Sequence, residues 1–167
     1  GIFEAKSEAK GWADHVVSLI DPNFKDHLGS GSALNMDITS HHIEGFDDVE
    51  EIGSTDKDGI TIHGYAPPTE DHIKRILEFT DKFLDCQNIL VHCHAGICRS
   101  TAVAILIHCQ AGFSPEEAFK RVEEARPQLW PNRLVISLGD ELLGLNGELV
   151  NVVANFMVKE ADTFWWG

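Results

Sequence analysis

The sequence has 167 residues, of which 43% are hydrophobic and 24% charged, as expected for one globular domain with a core rather than a disordered or fibrous protein. Thirteen Lys and Arg residues stand against 27 Asp and Glu residues, so the formal net charge is −14. Such a charge disfavours nucleic acids and anionic membranes, and no apolar run approaches the roughly 18 residues of a membrane helix. We therefore expect a single domain over residues 1–167, with no nucleic-acid partner and no membrane partner.

The first half of the chain predicts a few short strands. Residues 15–20 (HVVSLI) form an apolar, β-branched run that stops at an Asp-Pro pair, which is typical of a buried strand. Residues 33–38 are a weaker strand candidate, and residues 60–63 (ITIH) are another. A further apolar run, residues 88–92, predicts a short buried strand in the middle of the chain.

Residues 39–66 are rich in Gly, Asp, Glu and His and are interpreted as one long loop, either an insertion or a lid. A loop of this length within a compact domain is usually functional or mobile. Its histidines are expected to be exposed, where they could gate a pocket or contact a substrate: His41, His42 and His63.

The second half of the chain is predominantly helical. Helical spacing of apolar residues and N-capping residues predict helices near residues 70–85, 100–111, 115–126, 132–142 and 148–159. The second of these is apolar on nearly all sides, as expected for a central helix. Short strands followed by many helices imply an α/β sandwich with one sheet.

The segment between the strand at 88–92 and the helix at 100–111 predicts an anion-binding loop. A tight strand-to-helix loop directs successive N–H groups inward, and the start of the helix adds its positive end. Gly96 allows the turn, and Arg99 offers a planar fork for two phosphate oxygens. Cys93 lies at the base of this loop, where the same field would lower the pKa of a thiol from about 8.5 to about 4–7 and favour the reactive thiolate.

His92-Cys93, five further residues and Arg99-Ser100 match the signature of the cysteine-based protein tyrosine phosphatases. The sequence resembles that superfamily, in particular compact, bacterial-type members of its dual-specificity branch. The resemblance is strongest over residues 88–111 and weaker over the rest of the domain. It implies an α/β fold with a single central, mostly parallel sheet of about four to five short strands, flanked by helices that are mostly C-terminal.

The resemblance also implies how the loop residues act. Cys93 attacks phosphorus and forms a phosphocysteine intermediate, while Arg99 and the loop amides hold the phosphate oxygens. Ser100 stabilises the departing thiolate, and His92 supports the loop from behind. This mechanism requires no metal and no other cofactor. The phosphate-binding loop consists of His94, Ala95, Gly96, Ile97, Cys98 and Arg99.

The mechanism also requires a general acid that protonates the leaving oxygen. In the resembled family it is an Asp on a loop after an earlier strand, and Asp37 fits because it follows the strand candidate there. It lies unusually far before Cys93 for a small dual-specificity member, so the excess residues could be an insertion. The acidic residues of the long loop are therefore rival candidates: Asp47, Asp48, Asp56 and Asp58.

Cys98 occupies a loop position where the resembled family usually has a small or hydroxyl residue. Low-molecular-weight tyrosine phosphatases have a similar Ile-Cys-Arg-Ser ending with two loop cysteines, so Cys98 is interpreted as a candidate redox partner of Cys93. The alternative is a passive packed thiol. Cys86 and Cys109 are interpreted as core thiols, and a metal site is disfavoured because the loop lacks the spaced Cys pairs of structural zinc sites.

The leading interpretation is a phosphate monoester hydrolase, a protein-tyrosine or dual-specificity phosphatase that acts on a phosphorylated protein or peptide. The absence of Lys from the loop disfavours inositol-phosphate and lipid substrates. The alternatives are a phosphatase of a small phosphorylated metabolite, a pseudophosphatase that binds phosphoproteins and, more remotely, an arsenate reductase. A reactive thiol and a polar start unlike a signal peptide indicate a reducing, cytoplasmic location. Trp165 and Trp166 are expected to be docked apolar side chains or an oligomer contact.

Overall fold

Three parallel strands form one sheet in the computed structural model of the protein, which describes residues 1, 5, 11–22, 40–50, 65–85 and 88–166, with side chains up to residue 161. The strands are β1 (His15–Ile20), β2 (Ser40–Gly45) and β3 (Ile89–His92). Their order in the sheet is β2-β1-β3, and both pairings are parallel. The carboxyl ends of all three strands therefore lie at the same edge of the sheet, which is where open parallel sheets bind ligands.

β1 is the central strand, and all six of its residues are buried. A parallel strand with neighbours on both sides and layers on both faces reads as a nearly continuous apolar run, as HVVSLI does. Its one hydroxyl residue, Ser18, is directly opposite Ile43 of β2 and His92 of β3. The buried polar side chain of Ser18 therefore lies next to His92, the residue at which β3 ends and the predicted loop begins.

Five α-helices follow in the described residues from 65 onward: α1 (Glu70–Thr80), α2 (Arg99–Gln110), α3 (Pro115–Ala125), α4 (Arg133–Leu142) and α5 (Glu148–Trp166). A single 3-10 turn, Asp81–Phe83, extends α1. The side chains of Thr69, Ser114 and Asn132 cap α1, α3 and α4 by accepting backbone N–H groups of the first turn. Such caps fix where each helix begins.

The hydrophobic core surrounds α2, the helix that begins at Arg99. Val17 and Leu19 from β1 contribute to one buried cluster with Ile73 of α1 and Ile105 of α2. Burial of each such side chain stabilises the fold by about 1.5–3 kcal/mol. Because α2 is held in this core, its first turn has a fixed position at the edge of the sheet. Among the described residues, no helix is both long enough and apolar enough to cross a membrane.

The predicted α/β fold with one parallel sheet and mostly C-terminal helices is confirmed. The prediction of one continuous loop over 39–66 is wrong for residues 40–45, which form β2. The sequence SHHIEG has little β propensity, but pairing with β1 along its whole length overrides that preference. The strand candidates at 33–38 and 60–63 lie outside the described residues.

Candidate active site

In the loop between β3 and α2, carbonyl groups are bound by the neighbouring segment, and the N–H group of Gly96 points to the Cys93 sulfur. Gly96 has φ of +75°, a left-handed conformation that glycine adopts without a steric cost. The segment 126–132 supplies three donors to the loop: Arg126 Nε to the Gly96 carbonyl at 3.1 Å, and the N–H groups of Trp130 and Asn132 to the Ile97 and Cys98 carbonyls at 3.0 and 3.3 Å. Inward N–H groups at the start of a helix form a site for an anion.

The thiol of Cys93 lies in the middle of this loop and is almost completely buried. The Gly96 N–H donates to its sulfur at 3.2 Å, and Ser100 Oγ is hydrogen-bonded to the same sulfur at 3.3 Å. Burial alone would raise the pKa of Cys93, but the hydrogen bonds from Ser100 and Gly96, together with the charge of Arg99, outweigh burial and lower it. The geometry therefore favours a thiolate, the nucleophilic form of cysteine.

The guanidinium group of Arg99 is buried and only partly satisfied. Its Nη1 donates to Asp21 Oδ1 and to the Phe46 carbonyl, both at 2.7 Å. Its Nε is also buried but has no hydrogen-bond partner among the described residues, and Asp48 Oδ2 lies 4.0 Å from it. A buried N–H group of a cation is costly to leave unpaired, so the arrangement suits an anionic ligand at this position.

Residues 46–50, which follow β2, lie beside the loop and are tied to it by Asn132. The Asn132 side-chain amide donates to Asp48 Oδ1 at 2.9 Å and more weakly to the Val49 carbonyl at 3.4 Å. The carbonyl oxygen of the same side chain accepts the Val135 N–H at 3.0 Å as the cap of α4. Asn132 therefore fixes one oxygen of the Asp48 carboxylate and leaves the other facing Arg99.

Known proteins match part of the chain in sequence and most of it in fold. No protein-family model matches the chain. The human dual specificity protein phosphatase 8 is 36% identical over 77 residues, which cover 40% of this chain and 12% of that protein. The mouse protein of the same name is 36% identical over 76 residues, 11% of its length. The chain therefore corresponds to only a small part of these curated relatives.

Among solved structures, the human tyrosine phosphatase-like serine/threonine/tyrosine-interacting protein has a TM-score of 0.61 at 17% identity, covering 86% of this chain and 89% of that one. Tk-PTP in its active form has a TM-score of 0.52 at 19% identity, covering 86% of each chain. Human DUSP28 has a TM-score of 0.53 at 16% identity, covering 83% and 80%. The chain has the fold of the cysteine-based tyrosine phosphatases. The resemblance seen in the signature motif is thus confirmed for the fold.

Within this phosphatase fold, the predicted residues Cys93, Arg99 and Ser100 lie together at the start of α2. His92 is buried behind them at the end of β3. The remaining loop residues line the mouth of the site: His94 and Ala95 are exposed, whereas Gly96, Ile97 and Cys98 are half-buried.

The described candidates for the general acid occupy different surroundings. Asp47 is paired with Ala66, because its N–H donates to the Ala66 carbonyl and its Oδ2 accepts the Ala66 N–H, each at 2.7 Å. Asp48 instead lies beside Arg99, with its side chain 35% exposed. The first candidate from the sequence, Asp37, lies outside the described residues, as do Asp56 and Asp58.

The expected exposure of the histidines is wrong for His41 and His42, which are half-buried in β2. Successive side chains of a strand point to opposite faces, so the two rings have different partners. His41 Nε2 is 2.7 Å from Ser18 Oγ, whereas His42 Nε2 is 3.2 Å from Glu44 Oε2. His63 lies outside the described residues.

The described cysteines are all free thiols, with different surroundings. Burial, the Asp48 carboxylate and the charge of Cys93 raise the pKa of the half-buried Cys98 to about 12, so that this thiol is protonated at physiological pH. Cys109 is buried in the core, as predicted, and Cys86 lies outside the described residues. Within the described part of the chain, no group of three His, Cys, Asp or Glu side chains is placed to hold a metal ion.

Two residues of the site were not predicted from the sequence as site residues. Asp21 binds Arg99 and Asn132 binds Asp48, but the sequence indicated only a strand end and a helix start at these positions. Asp21 could have been found from topology, because it directly follows a predicted parallel strand whose carboxyl end lies at the ligand-binding edge. The sequence offers no such signal for Asn132. An Asn at the start of a helix is already explained by its role as the N-cap, so it does not indicate a site.

Proposed function

We propose that the protein is a phosphate monoester hydrolase of the protein-tyrosine or dual-specificity type, which acts on phosphorylated proteins or peptides through a phosphocysteine intermediate on Cys93. The dual-specificity phosphatase-like fold supports phosphatase activity. The observation that carries the proposal is the buried Nε of Arg99, which has no hydrogen-bond partner among the described residues, beside a loop whose Gly96 N–H faces the Cys93 sulfur. A cation and inward N–H groups around a thiolate match the needs of a phosphate group.

The proposed reaction has two steps. The Cys93 thiolate attacks phosphorus as the bond to the leaving oxygen breaks, and that oxygen takes a proton from a general acid. The loop N–H groups and Arg99 stabilise the charge on the three peripheral oxygens. Water then attacks the phosphocysteine, and Cys93 leaves as a thiolate, to which the Ser100 hydroxyl donates a hydrogen bond. In this scheme, Arg99 and the amides supply the electrostatic stabilisation without a metal.

We propose Asp48 as the general acid. Its Oδ1 is anchored by Asn132, while Oδ2 lies on the side of Arg99, where a leaving oxygen would be placed. A half-open position suits an acid that must meet a leaving group and then a water molecule. Asp47, by contrast, has its carboxylate bound to backbone. Asp37 remains the competing candidate from the sequence.

A second candidate function is a module that binds phosphoproteins without hydrolysing them. One structural neighbour is named as a tyrosine phosphatase-like interacting protein rather than as a phosphatase, and the Arg99 Nη1 is already bound to a carboxylate. A small phosphorylated metabolite as substrate is the other alternative. The free thiols of the described cysteines are consistent with the proposed reducing, cytoplasmic location.

The test combines turnover with binding. Hydrolysis of para-nitrophenyl phosphate and binding of a phosphotyrosine peptide are measured for the wild type, Cys93→Ser and Cys109→Ser, the last being a control because its thiol is buried away from the loop. We expect Cys93→Ser to lose all turnover yet still bind the peptide, and Cys109→Ser to keep both. Full turnover by Cys93→Ser refutes the mechanism. Wild-type protein that binds the peptide without turnover is a binding module.

A further inference from the structure

Three polar side chains on three neighbouring strands face one another behind the loop. Ser18 of the central strand is directly opposite His92, the last residue of β3, so both side chains point to the same face of the sheet. His41 lies two residues before Ile43, the β2 partner of Ser18, and therefore points to that face as well. The register thus places two imidazole rings on either side of one hydroxyl group.

The hydroxyl of Ser18 binds both rings. Ser18 Oγ is 2.6 Å from His92 Nε2 and 2.7 Å from His41 Nε2. A serine hydroxyl has one hydrogen, so it donates to one ring only, and the other ring must donate to the oxygen. Since Ser18 is completely buried, water cannot substitute for either bond. The two histidines are thus constrained to opposite roles.

The second ring nitrogen of His92 decides which role each histidine takes. Burial lowers the pKa of His92 to about 4, against an opposing effect of the Cys93 backbone, so the ring is neutral at physiological pH and carries one proton. Its Nδ1 is buried, and no partner of ordinary hydrogen-bond geometry lies near it among the described residues. Since Nε2 is bound to Ser18, Nδ1 is the ring nitrogen left for the Cys93 backbone, which raises the pKa of His92 as a carbonyl dipole near the ring would. A proton on Nδ1 satisfies that dipole, and Nε2 is then the acceptor.

We propose that Ser18 and His41 are positioning residues for the nucleophile: His41 donates to Ser18, Ser18 donates to His92 Nε2, and the His92 proton is held on Nδ1, facing the Cys93 backbone. The chain of hydrogen bonds crosses all three strands and ends at the residue that precedes the thiolate. It therefore sets the position of Cys93 relative to the N–H groups that stabilise it. Its effect on turnover rests on the proposed phosphatase function, whereas the tautomer of His92 does not.

Removal of the hydroxyl releases both rings. In Ser18→Ala, His92 Nε2 loses its donor, and the proton is no longer confined to Nδ1. We expect a mixture of tautomers, a rise in the pKa of the Cys93 thiol, and a fall in kcat of roughly tenfold, since an unsatisfied buried polar group has effects of this size. KM should change less than kcat, because the residues that contact phosphate are all retained. Ser18→Thr, which keeps the hydroxyl, should restore the Nδ1 tautomer and most of the activity.

The experiment measures the tautomer of His92 by nitrogen-15 NMR of the imidazole rings, and the titration of Cys93 by its rate of alkylation as a function of pH. The variants are Ser18→Ala, Ser18→Thr and His41→Leu, with His42→Leu as the matched control on the opposite face of β2. Wild type and His42→Leu should have the Nδ1 proton, and His41→Leu should shift the Cys93 titration in the same direction as Ser18→Ala, by a smaller amount.

A proton on Nε2 of His92 in the wild type overturns the proposal. So does a Cys93 titration that is the same in Ser18→Ala, His41→Leu and the wild type. If Ser18→Ala does not fold, the tautomer of the wild type and the titration of His41→Leu decide the matter. A wild-type protein with the predicted tautomer and titration but no hydrolysis of para-nitrophenyl phosphate would contradict the proposed function alone.

Discussion

The floor of the site, residues 92–100, and its rim, Asp21 with residues 46–50, are built in different ways. The floor is one continuous segment whose carbonyl groups are held by the neighbouring segment 126–132. The rim reaches Arg99 across sequence separations of 78 residues from Asp21 and 53 from Phe46. The proposed nucleophile, Cys93, therefore lies in one continuous motif. The nearby carboxylates, Asp21 and Asp48, follow the ends of β1 and β2 instead. In the proposed mechanism, the floor binds the phosphate group and the rim supplies the proton.

The largest effect expected at the rim is the loss of the general acid. Asp48→Asn should lower kcat by about 10²–10⁴-fold, whereas Asp37→Asn and Asp47→Asn should stay close to the wild type. The loss should be greater for phenyl phosphate than for para-nitrophenyl phosphate, because a poorer leaving group depends more on protonation. Steady-state kinetics of the three variants on both substrates measures this. If kcat falls in Asp37→Asn and not in Asp48→Asn, the general acid is not a residue of the rim.

Cys98 belongs to the floor and interacts with Asp48 of the rim. Treatment with peroxide tests whether Cys98 can also pair with Cys93. Mild peroxide should convert the Cys93 thiolate to a sulfenic acid, which the Cys98 sulfur attacks with release of water to form a disulfide. Because the pKa of Cys98 is about 12, the second step should be slow and should accelerate as the pH rises. Without Cys98, peroxide should oxidise the sulfenic acid further to a sulfinic acid, which dithiothreitol does not reduce. Most of the lost activity should therefore return with dithiothreitol in the wild type, but less in Cys98→Ser.

Peptide mass spectrometry after peroxide treatment identifies the products, with Cys109→Ser as the control. A sulfinic Cys93 together with a free Cys98 in the wild type contradicts the pairing and leaves Cys98 as a passive thiol.

The smallest effect on activity is expected for Glu44, which anchors β2 to α1 below the rim. Arg75 donates to both carboxylate oxygens at 3.0 Å. Burial alone would raise the pKa of Glu44, but the hydrogen bonds from His42 and Arg75 hold it at about 2. A carboxyl whose pKa is lowered by folding stabilises the protein above its unfolded value of about 4.5, and this contribution is lost as the pH falls towards about 2.

Glu44→Gln should therefore lower the free energy of unfolding at neutral pH by about 1–3 kcal/mol and flatten its dependence on pH between about 4.5 and 2. Urea titrations at several pH values measure both. The matched control is Glu124→Gln, since the Glu124 pair with Lys120 is exposed and is expected to contribute less than about 1 kcal/mol. An equal loss in kcat for Glu44→Gln and Asp48→Asn would mean that activity depends on the anchoring of β2 and not on the Asp48 carboxylate in particular.

What could be predicted from the sequence follows the same division between floor and rim. Cys93, Gly96 and Arg99 form a local pattern, and a strand before it with an apolar helix after it determines the geometry. β2 was missed because its residues are polar and its stability comes from pairing with β1. The position of Asp48 depends on Asn132, 84 residues away, so no local pattern reveals it.

The carboxylates of the rim also affect how a substrate arrives. Asp21 and Asp48 lie at the mouth of the site with side chains 47% and 35% exposed, on a molecule whose formal net charge is −14. An anionic phosphorylated peptide, the proposed substrate, should therefore be repelled over the distance at which it diffuses towards the protein, and attracted only once it reaches the loop and Arg99. Dissolved salt screens the long-range repulsion strongly, but it screens the attraction inside the buried site much less. Encounter with this site should thus become faster as ionic strength rises, the reverse of an enzyme that steers its substrate by charge.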